Sequence, residues 1–208
     1  MLTQDDGDLL AKLREGDEGV FTALVEANHA AMLRLARAYT RDETLAEEAV
    51  QESWLAALRG LDRFEGRSTL RTWLFGIVIN QSKRRAARER RSIPLSSLEA
   101  DAPAVSPNRF RPAEHGVWQG WWLEYPVPWD EQPIARLQAK ETVAVVYEAI
   151  EMLPAMQRAV ITLRDIEGMS AAEACSALGI SETNQRVALH RARSRVRRAL
   201  EVYLTEDG

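Results

Sequence analysis

Cysteine is almost missing from this 208-residue chain: Cys175 stands alone, which excludes an internal disulfide and any zinc site built on thiolates. Histidine is scarce too, with three scattered residues at 29, 115 and 190. No phosphate-cradling glycine loop, nucleophile motif or metal-ligand spacing accompanies them, so neither catalysis, nor a cofactor, nor a metal is expected. No run of 18 apolar residues occurs, and no transmembrane helix or direct membrane insertion is expected. The opening Met-Leu-Thr-Gln-Asp-Asp is acidic where a signal peptide is basic and then apolar. The expectation is a soluble, cytoplasmic chain in which Cys175 is a buried, inert thiol. Proline is rare outside one window, seven of the eight falling between residues 94 and 133.

An overall excess of positive charge is also lacking, since 27 Lys and Arg face 31 Asp and Glu for a net −4. The distribution matters more than the total, because local fields decide what each face attracts. Residues 61–92 carry nine bases against three acids, and residues 183–208 carry six against three. The rest of the chain is acidic. Two basic islands, one in each half, suggest two separate contacts with nucleic acid.

The first 90 residues have helical periodicity. Val20, Phe21, Leu24, Val25, Ala31, Met32, Leu35, Ala36 and Tyr39 form one apolar stripe at three- and four-residue steps. Leu45, Ala46, Ala49, Val50, Ser53, Trp54, Ala57, Leu58 and Leu61 repeat it. The opposite face of this second helix is acidic, with Glu43, Glu47, Glu48, Gln51 and Glu52 around a solitary Leu55. That leucine is either an ordinary surface residue or the apolar centre of a docking face.

Gly66 interrupts the chain, and Ser68 is placed to cap a third helix reaching about Arg91. Its first half, from Leu70 to Ile79, is apolar nearly all round and is expected to be buried among other helices. Its second half is basic: Lys83, Arg84, Arg85, Arg88, Arg90 and Arg91. Trp73, Ile77, Asn80 and Arg84 share one line along it, with Trp73 readable as core or as part of a nucleic-acid contact.

Between residues 93 and 138 the prolines collect with Trp118, Trp121, Trp122 and Trp129. Proline forbids long helix there, which predicts a linker. Four tryptophans are too much apolar surface for a solvated tether, so either the flanking domains or another protein should cover them. Helical pattern resumes at Ala139: Val143, Val146, Tyr147, Ile150 and Leu153 form a stripe, and Pro154 suits the first turn of the next helix, which stops at Gly168.

Residues 170–193 then predict a helix, a tight turn and a second, basic helix. Ser170 and Glu173 make a capping box, Gly179 supplies the left-handed end, and Ser181 caps the second helix. That helix bears Arg186, His190, Arg191, Arg193, Arg195, Arg197 and Arg198. A helical hairpin with a solvated face has the same pattern, but caps, turn and charge agree with seating side chains in a DNA major groove. The expected fold is all-α: two small helical domains, residues 1–92 and 139–208, joined by a proline- and tryptophan-rich linker over 93–138.

The order of these parts resembles a known family. Asp62-Arg-Phe-Glu-Gly-Arg-Ser-Thr-Leu-Arg-Thr-Trp-Leu-Phe-Gly-Ile-Val-Ile-Asn80, preceded by an acidic helix and followed by a basic run, resembles region 2 of extracytoplasmic-function (ECF, group IV) bacterial sigma factors. Leu153-Pro-Ala-Met-Gln-Arg158 with Leu189-His-Arg-Ala-Arg193 resembles their region 4. The resemblance implies a promoter-specificity subunit of RNA polymerase, with the core enzyme, promoter DNA and an anti-sigma factor as partners. It assigns core docking to Glu48, Gln51, Glu52, Leu55 and Leu58. Phe64, Arg67, Ser68, Trp73 and Asn80 would open and read the −10 element, with Asn80 at the base-reading pocket, while Lys83, Arg84 and Arg88 hold phosphates. Arg186, Val187, His190, Arg191 and Arg193 would read the −35 element. Asn184-Gln185 depart from the family's usual Thr-Val at the start of this helix. The rival reading is a free-standing helix-turn-helix regulator, which leaves the acidic helix and the 62–91 block unexplained; a protein-binding adaptor uses neither basic island.

Overall fold

The computed structural model describes residues 4–40, 42–92 and 140–206; the proline- and tryptophan-rich linker reading lies outside them. Among the described residues there are helices and turns and no strand, in the order α1 (Gln4–Arg14), α2 (Glu18–Arg37), α3 (Glu43–Gly60), α4 (Leu70–Ser92), α5 (Lys140–Glu151), α6 (Ala155–Ile161), α7 (Ala171–Leu178) and α8 (Glu182–Glu206). Each boundary has a local cause. Asp17 and Asp42 accept hydrogen bonds from the amides of Val20 and Leu45, capping α2 and α3. The capping box of Ser170 and Glu173 opens α7, and Gly179 closes it at a φ of 68° that a side chain would strain. The Ser181 hydroxyl accepts from the amide of Asn184 and caps α8.

Two expectations are corrected here. The cap of α4 is Thr69, whose hydroxyl accepts from the amide of Thr72, while the Ser68 hydroxyl donates to the Thr69 carbonyl. Cys175 is half-buried rather than buried, although burial, and then the charge of Glu182, still push its thiol pKa up. Helix α1 was not anticipated. It adds Leu10 and Leu13 to the core, and its Arg14 guanidinium donates to the carbonyls of Leu61 and Phe64 at 3.1 and 2.9 Å. That bond set ties down the 3₁₀ turn Leu61–Arg63 after α3.

The apolar half of α4 is the spine. Leu70, Leu74, Phe75, Val78 and Ile79 are buried, with α2 and α3 packed on one side and α7 on the other. An all-round apolar helix needs covering on every side, and here the second half of the chain supplies the last side. The Cβ that Gly76 lacks would lie only 3.7 Å from the carbonyl oxygen of Ala177, so α4 and α7 meet almost backbone to backbone. Helices α5, α6 and α8 pack around Val160, Leu163, Ala192 and Val196, continuous with the core around α4.

Between α6 and α7 the chain makes a π turn over Thr162–Ile166, with the Glu167 amide bonded to the Thr162 carbonyl at 2.8 Å. One extra residue per turn rotates the chain beyond it. Asp165 is thereby set against α8, where it accepts two bonds from Arg193. Glu167 reaches the first domain, where Arg34 of α2 and Arg71 of α4 hold it.

Candidate nucleic-acid interface

The acidic face of α3 carries an exposed Leu55 as the pattern predicts, and Leu58, which the pattern set in the buried stripe, is exposed beside it. Leu55 is 52% exposed and Leu58 48%, with Gln51 exposed beside them. Glu48 and Glu52 are not free, however. Arg85 of α4 reaches between them, donating to both carboxylates, with Nη2 at 2.5 Å from Glu52. Hydrogen bonding to Arg85 holds the Glu52 carboxyl below its ordinary range, and the same pairing raises the Arg85 pKa further. The guanidinium cancels the repulsion between two carboxylates one turn apart and fixes their direction. The face is thus an apolar pair of leucines rimmed by positioned acids.

The residues expected to open DNA divide into two groups. Asn80, Arg84 and Arg88 are exposed along α4, and Arg67 is exposed in the preceding loop, where it pairs with Glu65 at 3.1 Å. Ser68 is half-buried. Phe64 is not presented to solvent: it is 8% exposed, and its ring lies 4.8 Å from that of Trp73. Trp73 itself packs into the gap at Gly60, where a Cβ would meet the indole at 3.1 Å. Phe64 is core in this arrangement and Trp73 packs half-buried against it, because the contact between the two rings outweighs exposure in the loop. Lys83 also turns inward. Its ammonium donates to the Leu178 carbonyl at the end of α7 and lies 5.4 Å from the centre of the Tyr39 ring; burial lowers its pKa.

On α8, Arg186, Val187, His190 and Arg191 are exposed together on consecutive turns. Arg193 is half-exposed and bidentate to Asp165 at 2.7 and 2.8 Å, which commits its guanidinium to the turn after α6. Burial, then the neighbouring Arg197, Arg191 and Arg193, hold the His190 pKa down, so the ring is neutral near pH 7 and offers one donor and one acceptor. Gln185, just before this surface, is buried and faces the core, so Asn184 and not Gln185 stands at the exposed helix start.

This geometry is that of two known modules in series. The Sigma-70 region 2 family matches residues 24–92, and the Sigma-70 region 4 family matches residues 144–196. The chain belongs to the sigma-70 family. Several of its relatives are ECF factors by name. The RNA polymerase sigma-H factor of Pseudomonas aeruginosa is 28% identical over 207 residues, spanning 99% of this chain and all of that one. The ECF RNA polymerase sigma factor SigM of Mycobacterium tuberculosis is 29% identical over 198 residues, 95% of this chain and 85% of that one. Among solved structures, CnrH in complex with the cytosolic domain of CnrY superposes with a TM-score of 0.57 at 25% identity, covering 98% of this chain and 99% of that one.

In this sigma factor, region 2 thus comprises α2 to α4 and region 4 comprises α5 to α8. Three positioning residues escaped the sequence reading: Arg14, Arg85 and Glu167. Each acts on a partner 33 to 133 residues away, so no local pattern could announce it.

Proposed function

We propose that this ECF sigma factor directs RNA polymerase to promoters by holding the core enzyme through α3 and promoter DNA through α4 and α8. Residues 1–92 dock on the core and open the −10 element, 93–138 link, and 139–208 read the −35 element. The observation that carries this reading is the coexistence, in one chain and in family order, of an apolar-acidic docking face, an exposed Asn80-Arg84-Arg88 line and a capped helix-turn-helix. Leu55 and Leu58 would bury against the polymerase, with Gln51, Glu48 and Glu52 around them. Asn80 offers an amide that can donate and accept at an unstacked base edge. Arg84 and Arg88 contribute phosphate contacts that fix register without reading sequence. Arg186, Val187, His190 and Arg191 read the intact major groove, an arginine on guanine being worth about 1–3 kcal/mol of discrimination.

An anti-sigma factor belongs to the same reading, since the superposing CnrH structure holds the cytosolic domain of CnrY. Among the described residues no helix is long and apolar enough to cross a membrane; the reading as a polymerase subunit is what places the chain in the cytoplasm. We assign the chain no catalysis of its own. Size-exclusion chromatography separates this reading from a free-standing regulator. The chain is expected to co-elute with purified core polymerase and to bind promoter duplex weakly alone. Strong duplex binding with no core retention would support the regulator instead.

A further inference from the structure

Helix α4 contributes to the face of α3 as well as to its own. Arg85 lies on the side of α4 turned to α3, and its side chain is 19% exposed. Its Nη1 donates to Glu48, while Nε and Nη2 donate to the two oxygens of Glu52 at 3.3 and 2.5 Å. Asn80, Arg84 and Arg88 of the same helix are exposed. The strand-opening helix of the proposed function thus lends a cation to the docking helix beside it.

Glu48 and Glu52 are one turn apart on α3, and Glu52 and Gln51 stand three and four residues before the exposed Leu55. An unheld glutamate turns through many rotamers, and a partner that binds it must stop that motion. Arg85 has stopped it beforehand. Each carboxylate oxygen accepts more than one hydrogen bond, so acids held from one side keep capacity for a partner's cations.

Arg85 does two things to this face, and they act on binding in opposite ways. It subtracts one unit of negative charge, which slows encounter with a basic partner. It also fixes the direction of the acids, which slows departure because less has to be ordered in the complex.

We infer that Arg85 is a positioning residue for polymerase binding: acting from α4 through Glu48 and Glu52, it presents both carboxylates ready-ordered beside Leu55 and Leu58 and so lengthens the life of the docked complex. This rests on the sigma reading above.

Arg85→Lys separates geometry from charge, because lysine keeps the charge but lacks the planar fork that spans two carboxylates. Association and dissociation of the full chain are measured by surface plasmon resonance on immobilised core polymerase. Arg85→Lys is expected to dissociate about fivefold faster with an unchanged association rate. Arg85→Ala should dissociate as fast but associate faster, its face being one charge more negative. In a Glu52→Ala chain, which lacks one of the two acceptors, the step from Arg85 to lysine should change dissociation less. A loss of stability alone lowers the amount of chain able to bind and not its rate of release. Dissociation of Arg85→Lys at the wild-type rate overturns the inference. An acceleration of full size in the Glu52→Ala chain overturns it too, since the effect would then not pass through the acids. A wild-type chain that core polymerase does not retain overturns the sigma reading itself, and this inference falls with it.

Discussion

The two basic helices, α4 and α8, have similar lengths and similar charge, yet they use it differently. On α4 most of the cations nearest the core are committed within the protein: Arg71 to Glu167, Lys83 to Leu178, Arg85 to Glu48 and Glu52. Its outer line, Asn80, Arg84 and Arg88, is open to solvent. On α8 the pattern is inverted, with Arg186, His190 and Arg191 exposed, while Arg193 is tied to Asp165. The difference follows from position. Helix α4 is the central strut of its domain and is covered on three sides, whereas α8 shows one face to its core and leaves the other to solvent. Counting basic residues in a sequence therefore overstates the field of a buried helix and not that of a peripheral one.

That contrast breaks first at the core. Phe75 is fully buried on α4, and Phe75→Ala should cost about 3–5 kcal/mol of stability, read by chemical denaturation. Arg186→Ala, on the exposed face of α8, should leave the denaturation midpoint unmoved. It should instead weaken use of a −35 element by about 1–3 kcal/mol, read as promoter binding by holoenzyme with wild-type and altered −35 sequences. A loss shared equally by both sequences would make Arg186 a phosphate contact.

Neighbours on α4 give a finer comparison. Arg84→Ala should lower the salt dependence of promoter binding by about one phosphate contact and spare stability. Arg85→Ala should do the reverse, leaving the salt slope intact and costing about 1 kcal/mol of stability through two half-exposed ion pairs. Equal salt slopes for the two variants would erase the distinction between committed and free cations. The smallest effect lies at the cap of α7. Hydrogen bonds from the Ser170 side chain and backbone hold the Glu173 carboxyl below its ordinary range, so the folded state binds that proton less readily than the unfolded one. The stability it contributes is present above the unfolded value, about 4.3, and is lost as pH falls through the lower folded value. Ser170→Ala should cost about 1 kcal/mol at neutral pH and flatten this acid-side decline in thermal melts.

Much of this was legible in residue spacing. The stripes of α2 and α3, the capping box, Gly179 and the exposed Leu55 are local patterns of one or two turns, and local patterns survive folding. Helix α1 carried the same signal in Leu9, Leu10 and Leu13 but within a short acidic stretch. Ser68 and Thr69 are adjacent hydroxyls, and which one caps α4 depends on the path of the chain out of Gly66. Phe64 and Trp73 could not be assigned from spacing, because their fate is set by a stacking partner and by Gly60 at the end of another helix. The all-round apolar half of α4 announced that something must cover it. What covers it, α7 from the other side of the linker, is a contact across about a hundred residues that no periodicity encodes.

The account depends most on one chain supplying both the grip on polymerase and the separation of promoter strands. Permanganate reactivity of thymines at the −10 element, measured on a promoter with core enzyme and this chain together and apart, tests that most directly. Reactive thymines are expected only with both present, and markedly fewer with Asn80→Ala. Promoter DNA that stays unreactive with both present would contradict it.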